Sequence, residues 1–180
     1  HAEAIALRYR TLRAFASGVL NAVAYRRGWR RAPALLSANF ELTNRCNLKC
    51  TFCPTGNGTM TRARGRMSEP MFRRALAAAR PLEFVLLFQW GEPLLHPHFA
   101  RLARRARVAG SRTFLTTNGT LLDERRVAAL LDAGLDRVTV SVDGDARTHE
   151  AARGVPLSRV LEGLERLVSA RNARRARTGV

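Results

Sequence analysis

Cysteine is absent from this chain outside one short stretch, and this absence limits the class of protein. The three cysteines, Cys46, Cys50 and Cys53, lie together near the first quarter of the sequence. A secreted domain held by disulfides distributes its cysteines along the chain. The sequence therefore does not describe a disulfide framework, and clustered thiols indicate a reducing compartment, the cytoplasm.

Long apolar runs are absent as well. No segment approaches the roughly 20 apolar residues that a membrane-spanning helix requires, so we expect no transmembrane segment. Near the amino terminus, Arg8, Arg10 and Arg13 interrupt any apolar core, which argues against a signal peptide. Since the first residue is His1 and not methionine, we expect the chain to be a fragment of a longer protein.

Acidic residues are scarce. The chain has 31 Lys and Arg residues against 14 Asp and Glu, which gives a net charge of +17, and Lys49 is its only lysine. Such a charge can attract nucleic acid or an anionic surface. However, the arginines are spread over every predicted helix, and aromatic residues, which stack on nucleotides, make up only 7% of the chain. We interpret the charge as compositional bias and consider nucleic-acid binding the weaker alternative.

Strand and helix patterns alternate along the sequence. An amphipathic helix is predicted over residues 2–28. A basic amphipathic helix can lie on a membrane surface, but we expect this one to pack on its own domain. Strands are predicted over residues 35–43, 83–89, 112–117 and 136–142. Helices are predicted after Ser68, over residues 99–109, after Asp123 up to Gly134, and over residues 156–172. Residues 55–66 are predicted to form a loop. This alternation indicates an α/β fold with a parallel sheet.

The spacing of the cysteines is C-x3-C-x2-C, which places three soft ligands on one loop after the first strand. Thiolates of this kind suit zinc or an iron–sulfur cluster. A structural zinc site needs a fourth protein ligand, which His96 or His98 would have to supply, whereas a [4Fe–4S] cluster on three cysteines leaves one iron open for a small molecule. The pattern favours the cluster over zinc, and over three incidental thiols.

Chemically suggestive groups follow the other predicted strands too. Glu92, Asn118 and Asp143 each come after a predicted strand, as the cysteines do, and Ser141 lies at the end of the last one. Ligands of parallel sheets bind at the carboxyl ends of the strands. We therefore expect these groups to share one site.

The cysteine loop, with Phe52 before the last cysteine, resembles the cluster loop of radical S-adenosylmethionine (SAM) enzymes. The segment Trp90-Gly91-Glu92-Pro93 resembles the family's Gly-Gly-Glu-Pro element, which binds the amino group of SAM, although Trp90 stands where the family has glycine. The resemblance implies that Cys46, Cys50 and Cys53 hold a [4Fe–4S] cluster. It also implies that SAM is cleaved reductively to a 5′-deoxyadenosyl radical that abstracts hydrogen from a substrate.

The stretch Ser141-Val142-Asp143-Gly144, followed by His149 and Arg153-Gly154, is similar to a pattern of the SPASM/twitch subfamily. By this resemblance, Ser141 and Arg153 contact the carboxylate or ribose of SAM. For His149, a structural role fits as well as a functional one. An arginine is suited to a carboxylate because its planar guanidinium forms two parallel hydrogen bonds. The subfamily resemblance implies a peptide or protein substrate and an electron donor such as flavodoxin or ferredoxin.

The family's barrel is a (β/α)6 TIM-like barrel, of which four βα units can be counted here. We thus expect an N-terminal helical extension over residues 1–34 and a truncated radical SAM core over residues 35–180. A fifth strand would be due where the chain stops, which would leave the fourth strand with an unpaired edge. Two alternatives stay open: a radical SAM enzyme that modifies RNA or a small molecule, and a non-catalytic, zinc-bearing basic binding module.

Overall fold

The computed structural model describes residues 12–79 and 81–180, apart from the side chain of Arg13. The part of the predicted first helix over residues 2–11 lies outside the described residues. Four parallel strands form the sheet in the described part of the chain: β1 (Ser37–Asn39), β2 (Phe84–Leu86), β3 (Arg112–Thr117) and β4 (Arg137–Val140).

The order of the strands in space is their order in the sequence, β1-β2-β3-β4. A doubly wound sheet reverses its strand order at a switch point, whereas a (β/α) barrel adds each strand beside the previous one. The sheet therefore has the arrangement of a partial barrel, and the predicted α/β fold class is confirmed.

Helices connect and cover the strands. They are α1 (Leu12–Arg26), α2 (Pro54–Asn57), α3 (Glu69–Ala79), α4 (Phe99–Val108), α5 (Glu124–Ala133), α6 (Ala146–Arg153) and α7 (Leu157–Ala173). The predicted ends of α5 are confirmed: Asp123 accepts a hydrogen bond from the Arg126 amide at 2.7 Å, and Gly134 ends the helix with φ +70°. None of the helices among the described residues is long and apolar enough to cross a membrane.

The core lies between one face of the sheet and the helices. Val85 of β2, Leu115 of β3 and Val138 of β4 alternate onto this face and are almost fully buried, as are Leu102 of α4 and Leu130 of α5. The opposite face is only partly covered. There the guanidinium of Arg112 lies over the rings of Phe84 and Phe114, at 5.5 and 6.0 Å.

The strands are shorter than the sequence predicts, except for β3. Residues 35–43 were expected in the first strand, but β1 ends at Asn39, and the Phe40 amide makes its bond to the Leu86 carbonyl at 2.8 Å. The chain then leaves the ladder, and Thr43 forms an antiparallel bridge with Arg66 instead. An apolar pattern marks burial, and burial here continues past the end of strand pairing.

Two helices were missed. The short helix α2 begins at Pro54 and continues into the predicted loop over residues 55–66, and α6 was not predicted at all. The signals for α6 are present: Asp145 accepts a hydrogen bond from the Thr148 amide at 2.9 Å, and Gly154 ends the helix with φ +69°. Its apolar stripe is too short to stand out, since His149 is its one buried residue.

The first helix contacts its domain through small residues and not through its large apolar ones. Its contacts with the domain are made by small residues, with Ala14 and Ala24 buried and Asn21 exchanging two hydrogen bonds with the backbone of Ala34. The large apolar side chains point away and are exposed: Leu12, Phe15, Val19, Leu20 and Val23. The described part of the helix thus contacts its own domain as expected, but through small residues and not through its apolar stripe, because spacing alone does not distinguish an apolar stripe from the contact face.

The last residues return to the sheet. Gly179 pairs with Arg137 in a parallel bridge, the Val138 amide donates to the Gly179 carbonyl at 2.8 Å, and the Gly179 amide donates to the Asp136 carbonyl at 2.9 Å. The edge of β4 is thus paired at its start, which corrects the expectation of a fully unpaired edge.

The neighbouring residues Met71 and Phe72 of α3 test how the core depends on packing. Phe72 is fully buried, with its ring 5.0 Å from that of Phe40 in an edge-to-face contact, whereas Met71 is 53% exposed. We expect Phe72→Ala to lower the free energy of unfolding by about 3–5 kcal/mol. Met71→Ala should change it by less than about 0.5 kcal/mol. Urea denaturation followed by circular dichroism measures both, and equal losses would contradict the assigned core.

Candidate functional site

The cysteine loop begins just beyond β1, at the carboxyl end of the sheet. Cys50 is buried, Cys46 and Cys53 are half-buried, and all three are free thiols. The loop turns back on itself, since the Cys53 amide bonds to the Cys50 carbonyl at 3.3 Å and the Leu48 amide lies 3.4 Å from the Cys46 sulfur. Three thiols are therefore presented from one tight segment.

Burial raises the pKa of the Cys46 and Cys50 thiols above the ordinary value for cysteine. The neighbouring thiols raise the pKa values further, while the Leu48 amide partly offsets the rise at Cys46 and the Arg153 guanidinium partly offsets it at Cys50. These thiols thus stay protonated unless a cation compensates the charge of the thiolates, as a bound metal does.

Two glycines let other backbone segments approach the cysteine loop. A Cβ atom on Gly56 would lie 2.4 Å from the Cys50 nitrogen, and one on Gly91 would lie 2.7 Å from the carbonyl oxygens of both Thr43 and Arg45. Gly91 also has φ +91°, which disfavours any other residue. The segment predicted to bind SAM therefore packs directly against the start of the cysteine loop.

Glu92 does not face solvent, although a simple turn would have left it exposed. It is 1% exposed, and its carboxylate accepts hydrogen bonds from the Leu94 amide, the Thr117 hydroxyl and the Asn118 amide at 2.8–2.9 Å. Its own amide donates to the Arg45 carbonyl at 2.8 Å. Burial raises the pKa of Glu92, and the three donors oppose that rise. One residue thereby joins the loops that follow β1, β2 and β3.

Asn118 lies beside Glu92, but its side chain already makes hydrogen bonds within the protein. Its amide donates to Asn47 of the cysteine loop at 2.9 Å, and its oxygen accepts from the Thr120 hydroxyl and the Thr120 amide at 2.8 and 3.0 Å. The sequence did not signal this role, because nothing in the pattern pairs Asn47 with a residue 71 positions away.

From the other side, α6 packs against the cysteine loop. The Thr51 amide donates to the Ala152 carbonyl at 2.9 Å, and the Arg153 carbonyl oxygen lies 4.0 Å from the Cys50 sulfur. The guanidinium of Arg153 lies 5.6 Å from the centre of the Phe52 ring, and its Nε atom donates to Asp143 at 2.5 Å. The structure thus brings Arg153 beside the cysteines.

Ser141 follows β4 and is half-buried, with its amide bonded to the Thr117 carbonyl at 3.0 Å. His149 is fully buried, and its Nδ1 atom accepts from the Asp143 amide at 3.3 Å, which agrees with a structural role. Its Nε2 atom has no hydrogen-bond partner within residues 12–79 and 81–180.

The histidines after Glu92 do not complete a zinc site. His96 is buried, its Nε2 atom lies 2.9 Å from the Met67 carbonyl oxygen, and its Nδ1 atom accepts from the His98 amide at 3.2 Å. Burial also lowers the pKa of His96. Both ring nitrogens therefore serve the local fold. Across the described residues, no three His, Cys, Asp or Glu side chains converge as ligands of a single metal ion would.

Comparison with known proteins assigns a family to most of the chain. The model of the Radical SAM superfamily matches residues 40–174. The AdoMet-dependent heme synthase of Methanosarcina barkeri is 37% identical over 145 residues, which cover 74% of this chain and 39% of that protein. The GTP 3′,8-cyclase of Mycobacterium ulcerans is 40% identical over 131 residues, which cover 69% of this chain and 36% of that protein. The chain thus spans well under half the length of these relatives.

Solved structures show the same fold with the cofactor. Native anSMEcpe with bound AdoMet and Cp18Cys peptide is 28% identical, with a TM-score of 0.56, over 76% of this chain and 40% of that chain. AdoMet is SAM, and the superfamily uses it together with a [4Fe–4S] cluster. Because the family match covers residues 40–174, well over half of the chain, this chain belongs to the radical SAM superfamily of enzymes.

Proposed function

We propose that Cys46, Cys50 and Cys53 hold a [4Fe–4S] cluster and that SAM binds beside it at the carboxyl ends of β2 to β4. When bound, the cluster supplies the electron that cleaves SAM to methionine and a 5′-deoxyadenosyl radical, which abstracts hydrogen from the substrate. The observation that carries the proposal is the position of the three thiols: they lie on one loop that is hydrogen-bonded to the segments following β2, β3 and β4.

The donor set fits the cluster. The three sulfurs are free, and Gly56 and Gly91 allow the neighbouring backbone segments to lie close against their loop. Cysteines that bind a cluster attach to separate irons, so they do not need to converge on one point as the ligands of a single ion do. The raised pKa values of Cys46 and Cys50 mean that thiolate formation is coupled to metal uptake.

Arg153 and Ser141 are the residues that we propose for the carboxylate or ribose of SAM. Arg153 is held at its Nε atom by Asp143, while its two terminal nitrogens make no hydrogen bond to the described residues. These nitrogens are the part of a guanidinium that pairs with a carboxylate. The guanidinium lies 5.6 Å from the centre of the Phe52 ring, and its charge partly offsets the rise in the pKa of the Cys50 thiol, which supports a place near the cysteines.

Gly91 and Glu92 are proposed for the amino group of SAM. The Glu92 side chain is enclosed by protein donors, so the backbone of the half-buried Gly91 segment is the part that a ligand can reach. Glu92 then acts by fixing that backbone against the cysteine loop. An ammonium or metal-bound amine is satisfied by backbone carbonyls placed in this way.

The substrate that we propose is a peptide or protein, with the chain a member of the SPASM/twitch group. Support comes from the Ser141-x-Asp143-Gly pattern and from the likeness to anSMEcpe, which was solved with a bound peptide. A small-molecule substrate is the second candidate, and a different observation favours it. The curated relatives with the higher identities are named as a heme synthase and a GTP cyclase.

Radical SAM enzymes need a reductant, and we propose a protein of the flavodoxin or ferredoxin class acting in the cytoplasm. Residues 1–34 are proposed as a helical extension and residues 35–180 as the amino-terminal part of the radical SAM core.

Anaerobic reconstitution with iron and sulfide tests the proposed function. We expect about four irons and four sulfides per chain, an electron paramagnetic resonance (EPR) signal on reduction that changes when SAM is added, and release of 5′-deoxyadenosine. Stoichiometric zinc without acid-labile sulfide would contradict the proposal.

Removing one thiol should remove the cluster. We expect Cys50→Ala to lose iron and sulfide and to reduce formation of 5′-deoxyadenosine to background, because two thiolates cannot hold three irons. Lys49→Ala is the matched control, since Lys49 is exposed on the same loop. A reconstituted cluster of normal stoichiometry in Cys50→Ala would show that the ligand assignment is wrong.

Removing the guanidinium of Arg153 should weaken SAM binding and leave the iron content near normal. The loss of a charged hydrogen bond costs about 1.5–3 kcal/mol, so we expect SAM to bind Arg153→Ala roughly 10- to 100-fold more weakly. Arg147→Ala, on the exposed side of the same helix, is the control. Equilibrium binding of SAM to the reconstituted variants measures the effect, and equal affinities for both would reduce Arg153 to a structural role.

A further inference from the structure

Three polar side chains close a ring of hydrogen bonds beside the cysteine loop. The Asn47 amide donates to the Thr120 hydroxyl at 2.8 Å, that hydroxyl donates to the Asn118 oxygen at 2.8 Å, and the Asn118 amide donates to the Asn47 oxygen at 2.9 Å. Each member donates once and accepts once around the ring. Hydrogen bonds arranged in this way strengthen one another, and the geometry of each depends on the other two.

One member of the ring, Asn118, is buried and hydrogen-bonded, whereas another, Asn47, lies on the exposed cysteine loop. Asn118 is buried, its backbone amide is bonded to Glu92 at 2.8 Å, and its side chain also accepts from the Thr120 amide at 3.0 Å. Asn47 is exposed and lies between Cys46 and Cys50. The ring thus connects an element fixed by the sheet to a segment that the sheet does not hold.

The residues on both sides of Cys46 are hydrogen-bonded, and both sets of hydrogen bonds lead to Glu92. Just before it, the Arg45 carbonyl accepts from the Glu92 amide at 2.8 Å. Just after it, the side chain of Asn47 accepts from the side-chain amide of Asn118. The backbone amide of Asn118 in turn donates to the Glu92 carboxylate at 2.8 Å. The Cys46 backbone is therefore enclosed in a loop of contacts that begins and ends at one buried residue.

We propose that the ring of Asn47, Asn118 and Thr120 positions Cys46 for cluster binding, with Asn47 as a positioning residue that acts through the backbone of its neighbour. This inference rests on the proposed cluster site. The ring acts on Cys46, whereas Cys50 is held from the opposite side by Gly56 and by the contact of Thr51 with Ala152. Loss of the ring should then affect one thiol far more than the others.

Thr120 offers a matched pair of variants. Thr120→Val removes the hydroxyl with little change of shape, and Thr120→Ser keeps it. Asn47→Ala removes the ring member in the cysteine loop, and Asn47→Asp keeps the acceptor for Asn118 but loses the donor to Thr120. Thr61→Val, at an exposed threonine away from the ring, is the control.

The first measurement uses the metal-free chain. Alkylation by iodoacetamide, mapped by mass spectrometry, gives a rate for each cysteine. A hydrogen bond contributes about 0.5–1.5 kcal/mol net, so we expect alkylation of Cys46 to be roughly threefold to tenfold faster in Asn47→Ala and Thr120→Val. The rates for Cys50 and Cys53 should stay within a factor of two of the wild-type rates, and Thr120→Ser should restore the rate for Cys46.

The second measurement uses the reconstituted chain. We expect Asn47→Ala and Thr120→Val to hold less iron and to show a broadened or second EPR species, and Thr120→Ser to give the wild-type spectrum. An unchanged rate for Cys46 in both variants would overturn the inference. Equal acceleration at all three cysteines would also overturn it, since that is the result of general loosening. If the wild-type chain takes up no cluster, the proposed function fails, while the alkylation pattern still decides whether the ring positions Cys46.

Discussion

The buried carboxylate of Glu92 is the constraint on which the strand-end loops depend. A carboxylate removed from water costs several kcal/mol unless donors replace its hydration, and here the donors come from the segments after both β2 and β3. The same residue bonds through its backbone to Arg45, ahead of the first cysteine. If one of these loops moves, a buried carboxyl group loses a hydrogen-bond partner. The cysteine loop is therefore positioned by a network that contains no cysteine.

Much of this could be predicted from the sequence. The α/β class, the parallel sheet, the exact range of β3 and the capped helix after Asp123 follow from apolar periodicity and local signals. The convergence of Glu92 and Asn118 at one edge follows from the rule that parallel strands end on the same side. The cysteine spacing and the Gly91-Glu92 segment were sufficient to indicate the superfamily.

What the sequence could not predict depends on contacts between distant residues. Nothing local shows that Glu92 is enclosed by protein donors and not exposed, or that Asn47 bonds to Asn118. The contact face of α1 could not be predicted for the same reason, since Phe15 and Val19 have the spacing of a packed face but Ala14 and Ala24 are the buried residues. The steric need for glycine at position 56 is likewise visible only once the Cys50 backbone lies against it.

The bracing of the cysteine loop by α6 has a consequence for biosynthesis. Proteins emerge from the ribosome amino terminus first, at about 5–20 residues per second. The loop over residues 46–53 is therefore synthesised well before the segments that hold it, which end with the contacts of Ala152 and Arg153. Until those residues have emerged, the three thiols lie on a chain segment without its supports. The loop therefore acquires its final shape only after about a hundred further residues have been synthesised, and iron and sulfide that arrive after that point meet a preformed loop.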